Sequence, residues 1–225
     1  MAKQGKISAV IPAWCEAESL GRVVAAVRKY VQEVIVVDDG SGDQTAAVAR
    51  AAGAVVIRHL VNRGQGAALE TGRRLALRRG ADVIVHFDAD DQFCAAEIPS
   101  VCLPIMAGEA DIVFGSRFLG KPANIPWMKK MLLIPLAHLV NLLLFGRTLS
   151  DPQCGFRALS RRTAQAIVIS QDGMAHCSEI IGLAFGGRWR IKEVAVTVHY
   201  HHYGQKFSGG VKIFSDLIKA RLFNG

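Results

Sequence analysis

The carboxylates that follow the apolar run Val83–Phe87 are the residues of this chain with the clearest chemical potential. Asp88, Asp90 and Asp91 lie close together, and Gln92 comes directly after them. Carboxylates at this spacing repel one another, so a fold that gathers them is stabilised by a compensating cation. Oxygen ligands suit Mg²⁺ or Mn²⁺, ions that also bind substrate phosphates. The pattern therefore predicts a metal site, and a polar turn after a strand is the structural alternative.

The elements that must position these carboxylates alternate between strands and helices. Strands are predicted at 7–13, 34–37, 54–57, 83–87 and 111–114, and helices at 16–30, 44–52, 67–79 and 96–107. This alternation predicts an α/β fold, with a Rossmann-like, mostly parallel sheet flanked by helices. Ligands of such sheets bind beyond the carboxyl ends of the strands. The polar clusters at 38–39, 88–92 and 116–117 follow three of the strands, so we expect them to meet at one crevice.

Several common site types are absent from the sequence. Pro12-Ala13-Trp14 stands after the first strand in place of a G-x-G-x-x-G motif, which argues against a dinucleotide enzyme, and no P-loop sequence is present. The five cysteines are scattered and form no C-x-x-C pair, so we expect neither a disulfide framework nor a zinc site. This cysteine usage, together with an N-terminus that lacks a signal-peptide pattern, favours a reducing, cytosolic setting.

The positive charge of the chain is concentrated in one segment. The net charge is +8, and a balance of +7 falls between Arg117 and Arg162, where Asp151 is the single acid. This segment also contains the most apolar stretch, inside a long helical pattern at 126–148 that Pro135 and His138 interrupt too often for a bilayer span. Basic and apolar character together favour an interfacial helix on an anionic membrane surface. A pair of core helices and a nucleic-acid face are the alternatives.

The remaining patterns predict a helix at 173–187, a strand at 189–200 and a basic amphipathic helix at 211–223. Six motifs stand in a recognisable order: 11–16, 36–41, 62–66, 88–90, 115–117 and 151–157. In this order they resemble family 2 glycosyltransferases with a GT-A fold, and within that family the dolichyl- or polyprenyl-phosphate mannosyl- and glucosyltransferases. The resemblance covers about residues 7–200 and implies one catalytic domain at 1–225, divided into a nucleotide-sugar half (1–118) and an acceptor and membrane-facing half (119–225).

The resemblance also implies roles for individual residues on the donor side. The nucleotide is expected to contact Pro12, Ala13, Glu16, Asp38, Asp39, Gln65, Asp88 and Ala89. Asp88, Asp90 and Gln92 are expected to hold Mg²⁺ or Mn²⁺ together with the diphosphate, whereas Asp91 would point away. Capping of the next helix is the structural alternative for the Asp38–Asp39 pair.

On the acceptor side, the resemblance implies contacts from Arg117, Arg157, Glu179 and Lys206. Arg117 can grip a phosphate with two donors, and it joins Asp90 and Asp151 as a candidate catalytic residue. A general-base role for Asp151 stays open, since a phosphate acceptor is already anionic at neutral pH and needs only alignment. Histidines at 199, 201 and 202 stand where the family usually has arginine.

We therefore expect an enzyme that moves a hexose, mannose before glucose, from GDP-mannose or UDP-glucose to a polyprenyl or dolichyl phosphate. The transfer would be metal-dependent and inverting, carried out by a peripheral protein at the cytoplasmic face of a membrane, without nucleic acid. One alternative keeps the donor site and uses a soluble glycan acceptor. The other is a nucleotide-sugar-binding subunit without catalytic activity.

Overall fold

A computed structural model of the protein describes residues 5–119 and 149–199, and within these ranges the chain forms one seven-stranded sheet flanked by helices. The strands are β1 (Ile7–Ala13), β2 (Glu33–Asp38), β3 (Val55–Arg58), β4 (Val83–His86), β5 (Ile112–Ser116), β6 (Arg157–Ser160) and β7 (Ile191–Ala195). The helices are α1 (Leu20–Val27), α2 (Thr45–Ala51), α3 (Gln65–Arg78), α4 (Ile98–Met106), α5 (Arg161–Ala166) and α6 (His176–Gly186), with a 3₁₀ turn at Ala95–Glu97.

The strand order is β3-β2-β1-β4-β6-β5-β7. β1 pairs in parallel with β2 and β4, β2 with β3, and β5 with β7, whereas β6 is antiparallel to both of its neighbours. The predicted α/β architecture with a mostly parallel sheet is therefore confirmed. Because β6 runs in reverse, the segment that enters it lies at the edge where β4 and β5 end.

The sheet is buried on both faces, as the apolar strands predict. All seven residues of β1 are buried, and its side chains alternate between two cores. Ala9 and Ile11 pack in one core with α1 and α4, and Val10 packs in the other with α3 and α6. Helices pack on both faces of the sheet and hold the strands in place, so the loops that follow the strands start from fixed positions.

The sequence patterns missed one strand–helix pair and overestimated other elements. β6 has only four residues and begins with Arg157, so it lacks the apolar run by which the other strands are recognised. The predicted helix at 16–30 is shorter, because the Glu16 carbonyl accepts hydrogen bonds from the Ser19 and Leu20 amides in a turn before α1. The predicted strand at 189–200 is reduced to β7.

The helices predicted at 126–148 and 211–223 lie outside the described residues. Among the residues that are described, no helix combines the length and the apolar character needed to cross a membrane.

Candidate active site

The ends of β1, β2, β4 and β5 and the entry to β6 lie together at the carboxyl edge of the sheet. The segment before β6 links two of the predicted clusters. The Phe156 carbonyl accepts the Gly115 amide at 2.8 Å, and a Cβ atom placed on Gly155 would lie only 2.6 Å from Asp88 Oδ2. The ends of β4 and β5 are thus joined through the backbone of one short segment.

Asp88 is held between α3 and this segment. Its Oδ1 accepts a hydrogen bond of 3.2 Å from Gln65 Nε2, at the first residue of α3. Burial, and then repulsion from Asp90, raise the pKa of Asp88 to about 7, although Arg157 and His176 act in the opposite direction. Ionisation of this carboxyl group therefore costs free energy in the ligand-free protein. A bound cation would offset that cost.

The neighbours of Asp88 have separate placements. The Asp90 Oδ1 atom accepts the Gln92 amide at 3.2 Å, and the Gln92 carbonyl accepts the His199 amide at 2.8 Å. Asp91 has a φ of 62°, and its carboxylate lies 3.4 Å from Arg22 Nε. The left-handed backbone at Asp91 separates its side chain from the two other acids.

The acidic pair Asp88 and Asp90 fits a divalent ion that takes its other ligands from a bound substrate. Within residues 5–119 and 149–199, no three His, Cys, Asp or Glu side chains are grouped so that they could hold a metal unaided. Mg²⁺ is commonly held by one or two carboxylates together with substrate phosphates. Asp90 contributes to the raised pKa of Asp88, and a divalent ion would offset the repulsion between the two carboxylates.

The predicted nucleotide side is built on the ends of β1 and β2. Pro12 and Ala13 are buried, and the Cys15 amide donates to Ser41 Oγ at 2.9 Å, which ties the two loops together. Burial raises the pKa of Glu16, and Asp90 adds to the effect, while a hydrogen bond from Ser19 opposes it. Ala89, which lies between the two aspartates in the sequence, is buried in the core that includes α1 and α4.

Asp38 and Asp39 organise the loops at the end of β2. Asp38 Oδ1 accepts the Ser41 amide at 2.9 Å, and its Oδ2 lies 3.2 Å from Arg58 Nε. Asp39 accepts the amides of the loop that precedes α3. Neither caps α2, since Asp43 accepts the Thr45 amide there at 3.0 Å.

Arg117 and Asp151, which are far apart in the sequence, form a two-pronged ion pair. Arg117 Nε lies 2.6 Å from Asp151 Oδ2 and Arg117 Nη2 lies 2.7 Å from Oδ1, while the Arg117 amide also donates to Oδ2 at 3.1 Å. Asp151 is 2% exposed, whereas the Arg117 side chain retains 22% exposure. With both oxygens bonded to Arg117, Asp151 fixes the orientation of that guanidinium group at the end of β5.

A hydrogen-bonded pair of serines fixes this ion pair in place. Ser116 Oγ lies 2.6 Å from Ser150 Oγ, and Glu193 Oε1 accepts from the Ser150 amide at 2.8 Å and from its hydroxyl at 2.6 Å. Ser116 and Ser150 directly precede Arg117 and Asp151 in the chain. Through these hydrogen bonds, Glu193 of β7 holds the backbone segments that carry Arg117 and Asp151 next to each other.

Arg157 and Glu179, for which acceptor contacts are expected, are hydrogen-bonded to backbone groups of the protein. Arg157 is 1% exposed and donates to the carbonyls of Gly155 and Cys154 at 3.2 Å. Glu179 accepts the Ser170 amide at 3.0 Å and the Gln171 amide at 2.9 Å. Both side chains thus stabilise neighbouring segments of the chain. Lys206 lies outside the described residues.

The sequence patterns did not predict a buried polar cluster at the start of α6. Cys177 Sγ lies 3.4 Å from His176 Nε2 and 3.5 Å from Arg157 Nη2. Burial opposes ionisation of the thiol, but Arg157 and His176 outweigh it and lower the pKa of Cys177 to about 6. Burial and the charge of Arg157 keep the pKa of His86 well below its usual value. The available signal was His86 itself, a polar residue two positions before Asp88 in an apolar strand.

The fold and this edge define a glycosyltransferase of the GT-A type. A family model described as glycosyl transferase family 2 matches residues 8–168, which is more than half of the chain. The chain belongs to glycosyltransferase family 2, and the resemblance noted in its motifs is confirmed.

Two relatives and one solved structure are similar to this chain over most of its length. A UDP-N-acetylglucosamine–dolichyl-phosphate N-acetylglucosaminyltransferase of Methanococcus voltae is 30% identical over 95% of this chain and 95% of its own length. A polyprenol monophosphomannose synthase of Mycolicibacterium smegmatis is 30% identical over 93% of this chain and 83% of its own length. The fold also matches glucosyl-3-phosphoglycerate synthase of Mycobacterium tuberculosis, solved with Mn²⁺, UDP-glucose and phosphoglyceric acid, with a TM-score of 0.73, 23% identity, and coverage of 97% and 79%.

Proposed function

We propose that this glycosyltransferase moves a hexose from a nucleotide sugar to the phosphate of a polyprenyl or dolichyl phosphate, with inversion at the anomeric carbon. One observation carries the proposal: an acidic donor site, Asp88 and Asp90, and a cationic side chain held in one orientation, Arg117, lie at the same edge of the sheet. The names of two relatives with polyprenol-linked acceptors support the same acceptor class. Mannose is favoured over glucose as the transferred sugar.

On the donor side, we propose that the nucleoside lies over the ends of β1 and β2 and the diphosphate lies beside β4. Asp88 and Asp90, with Gln92, would hold Mg²⁺ or Mn²⁺, and that ion would offset the charge of the departing nucleoside diphosphate. Gln65, already bonded to Asp88, fixes the orientation of the carboxylate from α3. The donor would be GDP-mannose or UDP-glucose.

On the acceptor side, Arg117 would grip the acceptor phosphate while Asp151 keeps its guanidinium group in one orientation. The phosphate oxygen attacks the anomeric carbon from the face opposite the leaving diphosphate. No proton has to be removed from an ionised phosphate, so alignment by a rigid cation is sufficient. The basic, apolar segment between Arg117 and Arg162 would keep the protein at the cytoplasmic membrane surface as a peripheral protein.

Thermal unfolding against a panel of nucleoside diphosphates with Mg²⁺ or Mn²⁺ tests the donor half, because a ligand of the native state raises its apparent stability. Transfer of labelled sugar to polyprenyl phosphate in detergent tests the acceptor half. Asp90→Asn should abolish transfer, whereas Asp91→Asn, which removes a neighbouring charge, should retain it. Transfer only to a soluble glycan would refute the acceptor assignment, and absence of turnover despite nucleotide binding would favour a binding subunit.

Flotation with vesicles provides a separate test of membrane association. Binding to vesicles that contain anionic lipid, and loss of that binding at high salt, is the expected result. Transfer to polyprenyl phosphate without any flotation would show that the membrane surface is not part of the function.

A further inference from the structure

His59 bridges the end of β2 and the middle of α3, although nothing in its sequence context marks it as a functional residue. Its Nδ1 atom lies 2.6 Å from Asp39 Oδ1, and its Nε2 atom lies 2.9 Å from Thr71 Oγ1. The imidazole is 10% exposed and the Asp39 side chain 4%. An ionised carboxylate can only accept, so Nδ1 donates to Asp39, and Nε2 shares a second hydrogen bond with the threonine hydroxyl.

The carboxylate of Asp39 also accepts hydrogen bonds from the loop that leads into α3. The Arg63 amide donates to Oδ1 at 3.0 Å and to Oδ2 at 3.1 Å, and the Gly64 amide donates to Oδ2 at 2.6 Å. Gly64 adopts a φ of 106°, which L side chains rarely tolerate, so the chain turns sharply there. The shape of this loop depends on Asp39 keeping one orientation.

The loop in turn places a residue of the donor site. Gln65 follows Gly64 directly and donates to Asp88 from its side chain. The Gly66 amide, one residue further, is bonded to the Asp172 carbonyl at 2.8 Å, which anchors the start of α3 from its other side. A continuous series of contacts therefore runs from Thr71 through His59, Asp39 and the loop to Asp88.

We infer that His59 is a positioning residue of the donor site: by clamping Asp39 to α3 it fixes the Arg63–Gly64 loop against which a nucleoside diphosphate binds. The inference rests on the proposed donor function. His59 itself touches no substrate in this assignment, and Asp39 acts through the loop. Loss of the clamp should weaken donor binding and leave the rate of the bound complex nearly unchanged.

Two substitutions of His59 separate the clamp from simple packing. An asparagine amide occupies about the place of Nδ1, so His59→Asn keeps the bond to Asp39. A glutamine amide occupies about the place of Nε2, so His59→Gln loses that bond and keeps the one to Thr71. Both variants lose the imidazole ring, so they are matched for the loss of packing.

The expected result is that His59→Gln raises the donor KM about ten-fold with kcat nearly unchanged, whereas His59→Asn stays close to wild type. Amide hydrogen exchange, measured without any ligand, should show faster exchange at Arg63 and Gly64 in His59→Gln only. Equal exchange in both variants and the wild type would overturn the inference, as would equal KM values. A wild-type protein that no nucleoside diphosphate stabilises would overturn the proposed function instead, and the exchange measurement would still decide whether the clamp exists.

Discussion

Asp88 should make the ligand-free protein less stable as the pH rises, and Asp88→Asn should remove this effect. The pKa of its carboxyl group is raised from 3.8 to about 7 by burial and by Asp90. Between these two values the folded protein binds a proton that the unfolded chain has released, so the free energy of unfolding falls with pH and becomes level above about pH 7.

The magnitude follows from the size of the shift. Three pKa units correspond to about 4 kcal/mol at high pH, and we expect about 2 to 4 kcal/mol because Asp88 retains partial contact with solvent. About 1.5 kcal/mol of the full effect is already present at pH 5, which lies little more than one unit above the unfolded pKa. The stabilising effect of Asp88→Asn should therefore grow by about 0.5 to 2.5 kcal/mol between pH 5 and pH 8.

Urea unfolding of wild type and variant from pH 5 to pH 8, with a chelator present, measures this difference. Asp91→Asn is the matched control, since it makes the same chemical change three positions away. Its side chain is 37% exposed beside Arg22, so it should alter stability by less than about 1 kcal/mol at any pH in this range. Parallel pH profiles for the two variants, or an Asp88→Asn protein less stable than wild type at pH 8, would refute the reasoning.

Three further substitutions and one control variant test the remaining geometry. Gly155→Ala places a methyl group 2.6 Å from Asp88 and should lower transfer about 100-fold, whereas Gly186→Ala, with no atom within 4 Å, should leave transfer unchanged. Arg117→Lys loses the two-pronged pairing, so kcat/KM for the polyprenyl phosphate should fall about ten-fold while nucleotide-induced stabilisation persists. Glu179→Ala should cost about 1 to 3 kcal/mol in urea unfolding and leave the acceptor KM unchanged, because its carboxylate is occupied by a loop.

The sequence was sufficient to predict the parallel part of the sheet because its strands are buried on both faces. A strand that touches apolar neighbours on either side reads as a continuous apolar run, and β1 and β4 follow that rule. β6 does not, since its first residue is a buried arginine that donates hydrogen bonds to two carbonyl groups and a thiol. Such compensation depends on tertiary contacts and leaves no local pattern.

The same limit applies to the candidate site. The convergence of the acidic cluster with Arg117 could be predicted, because parallel strands end at a common edge. The pairing of Arg117 with Asp151 could not, since 34 positions separate them. His59 was missed for a related reason: its role comes from two hydrogen bonds to different elements, and a lone histidine after a strand has no distinctive spacing.

The reversed strand β6 explains how the two halves of the edge are kept in register. β6 lies between β4 and β5 and is antiparallel to both, so the segment that enters β6 lies at the edge where β4 and β5 end. A parallel strand in the same position would leave the sheet at that edge. Gly155 packs against Asp88 while the next residue, Phe156, bonds to Gly115, two positions before Arg117. Arg157 also stabilises this segment, because its side chain donates hydrogen bonds to the carbonyls of Cys154 and Gly155. A displacement of this segment would therefore move the acidic pair and the arginine together, so donor and acceptor defects should appear jointly in its variants.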